Sequence, residues 1–458
     1  MLKLIEEFLR STGIAAFFQD GGWKNLIMIL IALVLLYFAV FKQAEPYLLI
    51  PIAFGVLLVN LPLSGIFEKS TDAMYSLQQV ADAIGITIDQ AKELFMSLGL
   101  DPEKSYSLSH IIDLGKENLD AINALTFIKD DPLNGPLILN NIVDFLNQET
   151  HYSGLLGFLY MGVKTGIYPC LIFLGIGATT DFGPLISNPK SMILGAAAQI
   201  GIFVTFLGAL LLGFNPQEAS SIGIIGGADG PTAILVTKTL APHLLSSISI
   251  AAYSYMALVP FIQPPIIRLL TTKKERQIKM EEPIQVSKTK RILFPIIVTI
   301  VVVLLIPSCA PLIGCLMLGN LIKESGVVPK LTEAAGNTIL YLVTILLGLC
   351  VGATASADTF LTLNTIKIFA LGIFAFAIAT ASGVLIGKLM CKLTKGKINP
   401  MIGAAGVSAV PMAARVVHKE GIKEDPSNFL LMHAMGPNVA GVIGSAIAAG
   451  LLMLLFGI

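Results

Sequence analysis

The sequence predicts an all-α membrane protein that crosses the bilayer many times, and three observations support this prediction. Hydrophobic residues make up 55% of the 458 residues and charged residues only 13%, whereas soluble globular chains carry about 25% charged residues. Many windows exceed the ~18 apolar residues that mark a spanning helix. Short motifs also recur in the two halves of the chain. The net charge is zero, so the composition does not point to a nucleic-acid partner.

The apolar segments fall into two series. The first series comprises 24–42, 46–67, 153–178, 190–213 and 242–270. The second series comprises 291–306, 308–323, 336–354, 366–390 and 430–458. We therefore predict a first membrane repeat at 24–67 and 153–270 and a second at 291–458, each with about five transmembrane helices.

Three other stretches are predicted to lie outside the hydrocarbon core. Residues 1–23 form an amphipathic segment that suits the membrane interface. Residues 68–152 carry fourteen acidic residues against five lysines, which predicts an extramembrane helical insertion. Residues 271–290 form a basic linker, and the positive-inside rule places this linker in the cytoplasm.

Similar motifs in the same order relate the two halves. The sequence IGATTD at 176–181 resembles VGATASAD at 351–358, and Asn215-Pro216 resembles Asn399-Pro400. The offsets between the matched positions are similar along the chain. This shared order predicts that the chain consists of two related repeats.

Each Asn-Pro pair begins a segment that is too rich in glycine, alanine and proline for a regular spanning helix. These segments are 216–238 and 399–417. If both enter the membrane and turn back, each half crosses five times and the second half is inverted relative to the first. If both span fully, each half crosses six times and the repeat is parallel. We prefer the inverted arrangement, with one broken or re-entrant segment in each repeat.

The first broken segment contains GGADGPT at 226–232, which surrounds Asp229 with glycines and a proline. A carboxylate at membrane depth is unfavourable by about 2.5–3.5 kcal/mol on insertion scales, so it needs a cation or a partner. Asp229, the hydroxyl of Thr232 and free backbone carbonyls are the oxygen ligands that hard cations bind. This pattern predicts a sodium site. Asp229 could instead cap a short helix, and both roles are compatible.

The second broken segment offers polar groups without a carboxylate. Asn399 and Ser408 supply neutral oxygens, Gly403 allows close packing, and Arg415 is suited to hold an anion. The alternative for Ser408 is packing between helices as a small residue. The alternative for Arg415 is an anchor at the membrane interface.

Further candidates lie in two apolar segments. Asn438 follows a Gly-Pro break at the start of the last segment, where it could bind an ion or a neighbouring helix. Tyr253 and Tyr255 follow the Asp229 loop, and buried tyrosine hydroxyls need partners. We expect Tyr253 to serve in packing, whereas Tyr255 could face the site or pack.

The sequence contains no GxxxxGK[ST] nucleotide-binding loop, no metal-ligand cluster, no nucleophile elbow and no MKM biotin-attachment motif. The energy for transport is therefore expected from an ion gradient or from chemistry on another subunit. Alternatives to a pump subunit are a stand-alone sodium-coupled carboxylate transporter and a sodium/proton antiporter.

Three long motifs closely resemble the beta subunit of the biotin-dependent, sodium-pumping decarboxylases of oxaloacetate, methylmalonyl-CoA and glutaconyl-CoA. They are GGADGPT at 226–232, NPMIGAAGVSAVPMAARV at 399–416 and HAMGPNVAGVIGSAIAAG at 433–450. The resemblance covers 24–67 and 153–458. It implies an elevator-type carrier fold, in which one domain moves past another, and a multi-pass location in the bacterial inner (cytoplasmic) membrane.

The resemblance also implies a mechanism and partners. The subunit would release carbon dioxide from carboxybiotin, consume a proton from outside and export sodium. The implied partners are a carboxyltransferase alpha subunit, a biotin carrier subunit and a small membrane-anchor subunit, and the chain could form a homo-oligomer. Asp229, Arg415 and Tyr255 are expected to act in catalysis, and Arg415 and Ser408 to bind carboxybiotin. The expected sodium ligands are Asp229, Asn399, Gly403, Ser408, Asn438 and Thr232.

Overall fold

The structure of the chain is a computed structural model. It describes residue 17 and the ranges 22–43, 45–62, 64–69, 74–129, 134–146, 152–281 and 285–457. Most of the predicted amphipathic segment at 1–23 lies outside the described residues. Contacts between residues divide the chain into two units, one formed by Met1–Ser64 with Leu159–Ile458 and the other by Gly65–Phe158.

The larger unit begins with two helices, α1 (Gly22–Phe41) and α2 (Pro46–Val59). The smaller unit follows and consists mainly of short helices. They are α3 (Leu77–Ile84), α4 (Ile88–Ser97), α5 (Leu108–Glu117), α6 (Leu119–Asn123), α7 (Thr126–Lys129) and α8 (Gly135–Leu146). Its strands have two residues each and form two antiparallel pairs, β1 (Glu68–Lys69) with β4 (Tyr152–Ser153) and β2 (Met74–Tyr75) with β3 (Tyr106–Ser107).

The helices of the smaller unit are of the kind found in water. Capping boxes start α3 at Ser76 and α4 at Thr87, and such boxes satisfy the free N–H groups of a helix start. α4, within the insertion predicted at 68–152, is amphipathic and buries Leu94 and Phe95. Together with residues such as Val80, Ile111 and Ile142, these side chains form a separate hydrophobic core.

The remaining helices of the first half continue the larger unit. They are α9 (Gly154–Lys164), α10 (Ile167–Thr179), α11 (Gly183–Ser187), α12 (Ser191–Ala198), α13 (Ile200–Leu211), α14 (Pro216–Gly223), α15 (Gly230–Leu240) and α16 (Leu245–Leu270). Short 3-10 helices occupy Ile224–Gly227 and Pro242–Leu244.

The second half contains the helices α17 to α25. They are α17 (Lys273–Arg276), α18 (Lys288–Leu305), α19 (Ala310–Ser325), α20 (Pro329–Glu333), α21 (Leu340–Ala353), α22 (Ala357–Phe360), α23 (Leu363–Leu393), α24 (Met412–Glu424) and α25 (Leu431–Phe456). Two 3-10 helices, Pro307–Cys309 and Pro400–Gly406, and a π-helical turn at Ala334–Ile339 interrupt the series.

Several of these helices are long and apolar enough to cross a membrane. Among the described residues, five qualify alone: Gly22–Phe41, Ser191–Leu211, Pro329–Ala353, Leu363–Leu393 and Leu431–Phe456. The number rises to seven if each of two bent helix pairs counts as one span. These pairs are Gly154–Lys164 with Ile167–Thr179 and Pro242–Met256 with Leu258–Leu270. The chain is therefore a helical multi-pass membrane protein, and the five crossings per half stay a prediction.

Both segments that the sequence marks as broken are interrupted near their middle. In the first, the 3-10 helix that follows α14 ends at Gly227, and α15 starts at Gly230. In the second, a 3-10 helix ends at Gly406, and α24 starts at Met412. Glycine and proline interrupt the helices, as the sequence predicts. Each interruption leaves a short non-helical stretch in the larger unit.

Helices of the two halves meet in pairs through glycine. α10 packs on α19 so closely that a Cβ atom at Gly177 would lie 2.0 Å from the carbonyl oxygen of Leu316. In return, a Cβ atom at Gly319 would lie 2.1 Å from the carbonyl oxygen of Leu174. Only glycine permits such contact between two backbones. In the α10–α19 pair, one glycine from each half therefore contacts the backbone of the other helix.

A second pair, α2 with α21, repeats this arrangement. A Cβ atom at Gly55 would lie 2.2 Å from the carbonyl oxygen of Leu349, and one at Gly352 would lie 2.0 Å from that of Ile52. Gly352 belongs to the motif VGATASAD, which resembles the motif IGATTD around Gly177. Each of the two matched glycines therefore joins its own half to a helix of the other half.

We expect Gly177→Ala to destabilise the protein because its methyl group would meet the carbonyl of Leu316. Overpacking of this kind typically costs about 1–3 kcal/mol. The thermal midpoint of the detergent-solubilised protein measures the effect. Gly314→Ala on α19 is the matched control, since no atom lies within 4 Å of the added Cβ. Equal midpoints for the two variants would contradict the close contact of α10 and α19.

Candidate functional site

Asp229 lies at the interruption of the first broken segment. The preceding residue, Ala228, has a left-handed backbone with φ 58°, a conformation that is uncommon outside glycine and concentrates at functional sites. Asp229 itself is extended and caps α15, where its carboxylate accepts the N–H of Thr232 at 3.4 Å. The capping role is therefore present in the structure, and it uses only one carboxylate oxygen.

The second oxygen of this carboxylate binds the last helix. The hydroxyl of Ser445 on α25 donates to Oδ2 of Asp229 at 2.7 Å. Asp229 is only 5% exposed, and among the described residues no lysine, arginine or histidine forms an ion pair with it. A buried carboxylate without a basic partner requires a bound cation or a proton.

Further oxygen atoms on the two broken segments and on the helices packed against them are buried and have no hydrogen-bond partner within the described part of the chain. They are Oγ1 of Thr232, Oγ of Ser408, Oδ1 of Asn438, Oε1 of Gln199 and the hydroxyl of Tyr253. Such atoms are rare in folded proteins and call for an explanation such as an ion. Together with Asp229 they supply hard oxygen donors, which fit a sodium ion.

The two broken segments touch at this point. The N–H of Ser408 donates to the carbonyl oxygen of Gly227 at 3.0 Å. Asn438 on α25 fixes the second segment from the other side, because its amide nitrogen donates to the carbonyl oxygens of Ala405 and Val407 at 2.9 and 2.7 Å. Ser408 and Asn438, both predicted from the sequence, are thus brought to the same interruption as Asp229.

Gln199 and Ser445 are site residues that the sequence analysis missed. The amide nitrogen of Gln199 donates to the carbonyl oxygens of Gly195 and Gly441 at 3.2 Å, and its free oxygen faces Gly227. Ser445 follows Asn438 by seven residues, which is two turns of one helix face. That spacing could have identified Ser445. A single glutamine in an apolar segment gives no comparable signal.

Two predicted ligands lie elsewhere on the second broken segment. Asn399 starts its 3-10 helix, where the side-chain nitrogen donates to the carbonyl oxygens of Arg276 and Ile278 and the side-chain oxygen accepts the N–H of Met401. Gly403 packs on α23, and a Cβ atom there would lie 2.0 Å from the carbonyl oxygen of Gly383. The contacts of both residues hold this segment against the linker and α23.

Tyr255 and Arg415 are also separate from the carboxylate. The Tyr255 hydroxyl donates to the carbonyl oxygen of Phe369, and its ring packs against Gly372. Arg415 lies in the first turn of α24 and is exposed. Its guanidinium group is therefore accessible to an anion, whereas the contacts of Tyr255 are those of a packing residue.

Ion pairs connect the basic linker to α24, the helix that carries Arg415. Arg276 pairs with Glu424 at 2.8 Å and Lys279 with Asp425 at 3.1 Å. The side chain and the backbone of Ser427, and then Lys279, hold the pKa of Asp425 down at about 2. Asp425 is therefore charged at any physiological pH, so its attraction to Lys279 does not change with pH in that range.

We expect Ser445→Ala to weaken sodium binding because it removes the hydroxyl that donates to Asp229. A hydrogen bond to a charged group contributes about 1.5–3 kcal/mol, so the sodium concentration at half-maximal thermal stabilisation should rise roughly tenfold or more. Ser325→Ala is the control, since its hydroxyl donates to the backbone carbonyl of Ile322. If the thermal stability of Ser445→Ala depended on sodium in the same way as that of the wild type, sodium would not bind beside Ser445.

Comparison with known proteins assigns the chain to a family. The family described as "Na+-transporting oxaloacetate decarboxylase beta subunit" matches residues 24–456. The chain is 50% identical to the methylmalonyl-CoA decarboxylase subunit beta of Propionigenium modestum over 458 residues, which is the full length of both chains.

Two further relatives carry other substrate names. A probable oxaloacetate decarboxylase beta chain of Vibrio cholerae is 48% identical over 96% of this chain and 98% of its own. The glutaconyl-CoA decarboxylase subunit beta of Acidaminococcus fermentans is 47% identical over 96% of each chain. The chain therefore belongs to the family of Na+-transporting oxaloacetate decarboxylase beta subunits, the membrane subunits of sodium-pumping decarboxylases.

Proposed function

We propose that this subunit couples the decarboxylation of carboxybiotin to sodium export and takes up a proton in exchange. The observation that carries the proposal is the buried carboxylate of Asp229. It has no basic partner among the described residues, accepts a hydrogen bond from Ser445, and lies where the two broken segments touch. Sodium and a proton are the two cations that such a carboxylate can exchange.

The sodium site is proposed to be built around Asp229 from both broken segments and α25. Thr232, Ser408 and Asn438 offer the oxygen atoms that lack partners within the described residues. Gly227 adds a backbone carbonyl close to the same point. Asn399 and Gly403, which the family resemblance also implies, contribute by holding the second broken segment in place.

Arg415 is the proposed binding site for the carboxylate of carboxybiotin. Ser408, seven residues earlier, is proposed to contact carboxybiotin from the side of the ion site. A guanidinium group binds a carboxylate through two parallel hydrogen bonds, and the exposure of Arg415 fits a ligand brought by another subunit. Carboxybiotin supplies a carboxyl group whose release as carbon dioxide consumes one proton. Tyr255 supports this region through its packing against α23.

The membrane part is proposed to consist of two inverted repeats, 24–67 with 153–270 and 291–458, that work as an elevator-type carrier. The reciprocal glycine contacts of α10 with α19 and of α2 with α21 support a twofold relation between the halves. The contact between the two interrupted segments supports it further, since broken segments of inverted repeats meet at the ion site.

The proposal includes the assembly and its location. The subunit lies in the bacterial inner membrane, with the linker 271–290 in the cytoplasm. A carboxyltransferase alpha subunit loads biotin on a carrier subunit, and a small membrane-anchor subunit completes the complex. The helical insertion at 68–152 is outside the membrane.

Asp229→Asn tests the coupling, because asparagine keeps the shape of the side chain and removes its charge. The complex is captured on avidin through its biotinylated subunit, and carbon dioxide release is measured with and without sodium. We expect the variant to assemble and to lose sodium-stimulated decarboxylation. Normal sodium stimulation in the variant would contradict the assignment. A chain that carries no biotinylated partner and takes up a labelled carboxylate into liposomes would indicate a stand-alone transporter.

Arg415→Gln tests the anion site separately from the ion site. Loss of a charge-assisted contact of about 1.5–3 kcal/mol should slow decarboxylation roughly tenfold to hundredfold, while sodium still stabilises the protein against heat. Lys419→Gln is the matched control, since Lys419 is an exposed cation on the same helix. Equal decarboxylation rates in the two variants would show that Arg415 does not take part in the reaction.

A further inference from the structure

Gln199 lies at an interruption one residue long within a membrane span. α12 ends and α13 begins on either side of it, although Ser191–Leu211 is apolar and long enough to cross a membrane as one helix. The N–H of Gln199 donates to the carbonyl oxygen of Ala196 at 3.1 Å, whereas a regular α-helical bond would go to Gly195. The carbonyl oxygen of Gly195 is thereby left without its helical donor.

The side chain of Gln199 takes the place of the missing donor. Its amide nitrogen donates to the carbonyl oxygens of Gly195 and of Gly441 on α25, each at 3.2 Å. A primary amide donates only through its nitrogen and accepts only through its oxygen. The reverse orientation would set the amide oxygen against two carbonyl oxygens, so the two bonds fix Oε1 of Gln199 away from Gly195 and Gly441.

α25 leaves room for this amide at a glycine. A Cβ atom at Gly444 would lie 3.1 Å from Cγ of Gln199 and 3.3 Å from both Cδ and Nε2. A side chain at this position would crowd the amide, whereas glycine lets the helix approach it. The Gln199 side chain is therefore held between its own helix and α25, with its oxygen in a fixed direction.

That direction leads to the loop of Asp229. A Cβ atom at Gly227 would lie 3.4 Å from Oε1 of Gln199 and 3.2 Å from Cβ of Ser445. The hydroxyl of Ser445 donates to Oδ2 of Asp229 at 2.7 Å. Oε1 of Gln199 therefore lies on the same side of Gly227 as the serine that binds the carboxylate.

The oxygen of Gln199 has no hydrogen-bond partner among the described residues, and the residue is only 5% exposed. Donors close to it already serve other acceptors. The hydroxyl of Ser445 serves Asp229, and the N–H of Ser408 serves the carbonyl oxygen of Gly227. A buried oxygen without a donor calls for another partner, and beside a carboxylate a hard cation is a partner for both oxygens.

We infer that Oε1 of Gln199 is a ligand of the sodium ion that binds at Asp229. The inference rests on the function proposed above, and it adds a residue that the sequence motifs and the proposed sodium ligands do not include. It also adds a structural element to the site. The proposed ligands come from the two broken segments and α25, whereas Gln199 comes from the junction of α12 and α13, so the bound ion joins this span to the Asp229 loop.

An amide oxygen suits this position because it coordinates the ion without adding charge. Asp229 and one sodium ion are neutral together. A second carboxylate in place of Gln199 would make the loaded site negative, and a net charge is strongly disfavoured at membrane depth. Gln199 thus increases the number of oxygen ligands while the loaded site remains neutral.

Two variants separate the oxygen of Gln199 from its nitrogen. Gln199→Met removes both, whereas Gln199→Glu keeps an oxygen acceptor in either protonation state and removes the amide nitrogen. The measurement is the sodium concentration at half-maximal thermal stabilisation of the detergent-solubilised full chain, with potassium chloride as the ionic control. We expect this concentration to rise roughly tenfold or more in Gln199→Met, because an oxygen bonded to a charged partner is lost. It should stay close to the wild-type value in Gln199→Glu.

Two results would overturn the inference. One is a sodium concentration in Gln199→Met equal to that of the wild type. The other is an equal loss of sodium affinity in Gln199→Glu and Gln199→Met, which would assign the effect to the bonds of the nitrogen. If Gln199→Met shows no cooperative thermal transition, Gln199→Asn replaces it. That variant keeps an amide but withdraws the oxygen by one carbon, so it should also weaken sodium binding.

Asn60→Leu is the matched control. The amide nitrogen of Asn60 likewise donates to the carbonyl oxygen four residues earlier, that of Val56, and to one on another segment, that of Ala355, each at 2.8 Å. Its oxygen is buried and has no partner among the described residues. The residue follows α2 instead of facing the Asp229 loop. We expect Asn60→Leu to lower the thermal midpoint without sodium and to leave the sodium dependence unchanged.

The response of the wild type keeps this inference apart from the proposed function. A wild-type chain that sodium does not stabilise, relative to potassium, rejects the proposed sodium site itself. A wild type that sodium stabilises, together with an equal response in Gln199→Met, rejects only the role of Gln199 as a ligand.

Discussion

The buried charge of Asp229 is the constraint on which the rest of the site depends. Its carboxylate is desolvated in the larger unit and accepts hydrogen bonds from Ser445 and from the N–H of Thr232. These neutral donors orient the carboxylate but do not cancel its charge. The partnerless oxygens of Ser408 and Asn438 in the described residues do not cancel it either. A cation bound at Asp229 would compensate the charge and give such oxygens a partner.

Close backbone contacts keep these groups in place. A Cβ atom at Gly441 on α25 would lie 2.2 Å from the carbonyl oxygen of Gly406, and one at Gly406 would lie 2.4 Å from that of Leu194 on α12. The last helix, the second broken segment and α12 therefore form one tightly packed group that includes Gln199, Asn438 and Ser445. α2 with α21 and α10 with α19 form other tight pairs. A carrier that moves one domain past another requires such internally rigid parts.

The sequence could identify those site residues whose role is indicated by their immediate neighbours in the chain. Asp229 lies beside a Gly-Pro pair at which the helix is interrupted, as the sequence predicts. The break predicted at the Gly-Pro pair before Asn438 is wrong, because α25 continues through Pro437. The sequence could not show which way a side chain points from α16, so its preference for Tyr255 over Tyr253 had no geometric basis. Long-range contacts were equally hidden, since Asn399 bonds to backbone carbonyls of Arg276 and Ile278, more than a hundred residues earlier.

Charge also explains how one carboxylate can couple two ion movements. Asp229 with a sodium ion or with a proton is neutral, whereas empty Asp229 is negative. An uncompensated charge is strongly disfavoured at membrane depth, so the empty site should cross far more slowly than either loaded form. In the proposed function, sodium and a proton compete for this one carboxylate, and each crossing carries one of them. The direction of net transport is then set by decarboxylation, which consumes the proton and leaves the carboxylate free for sodium.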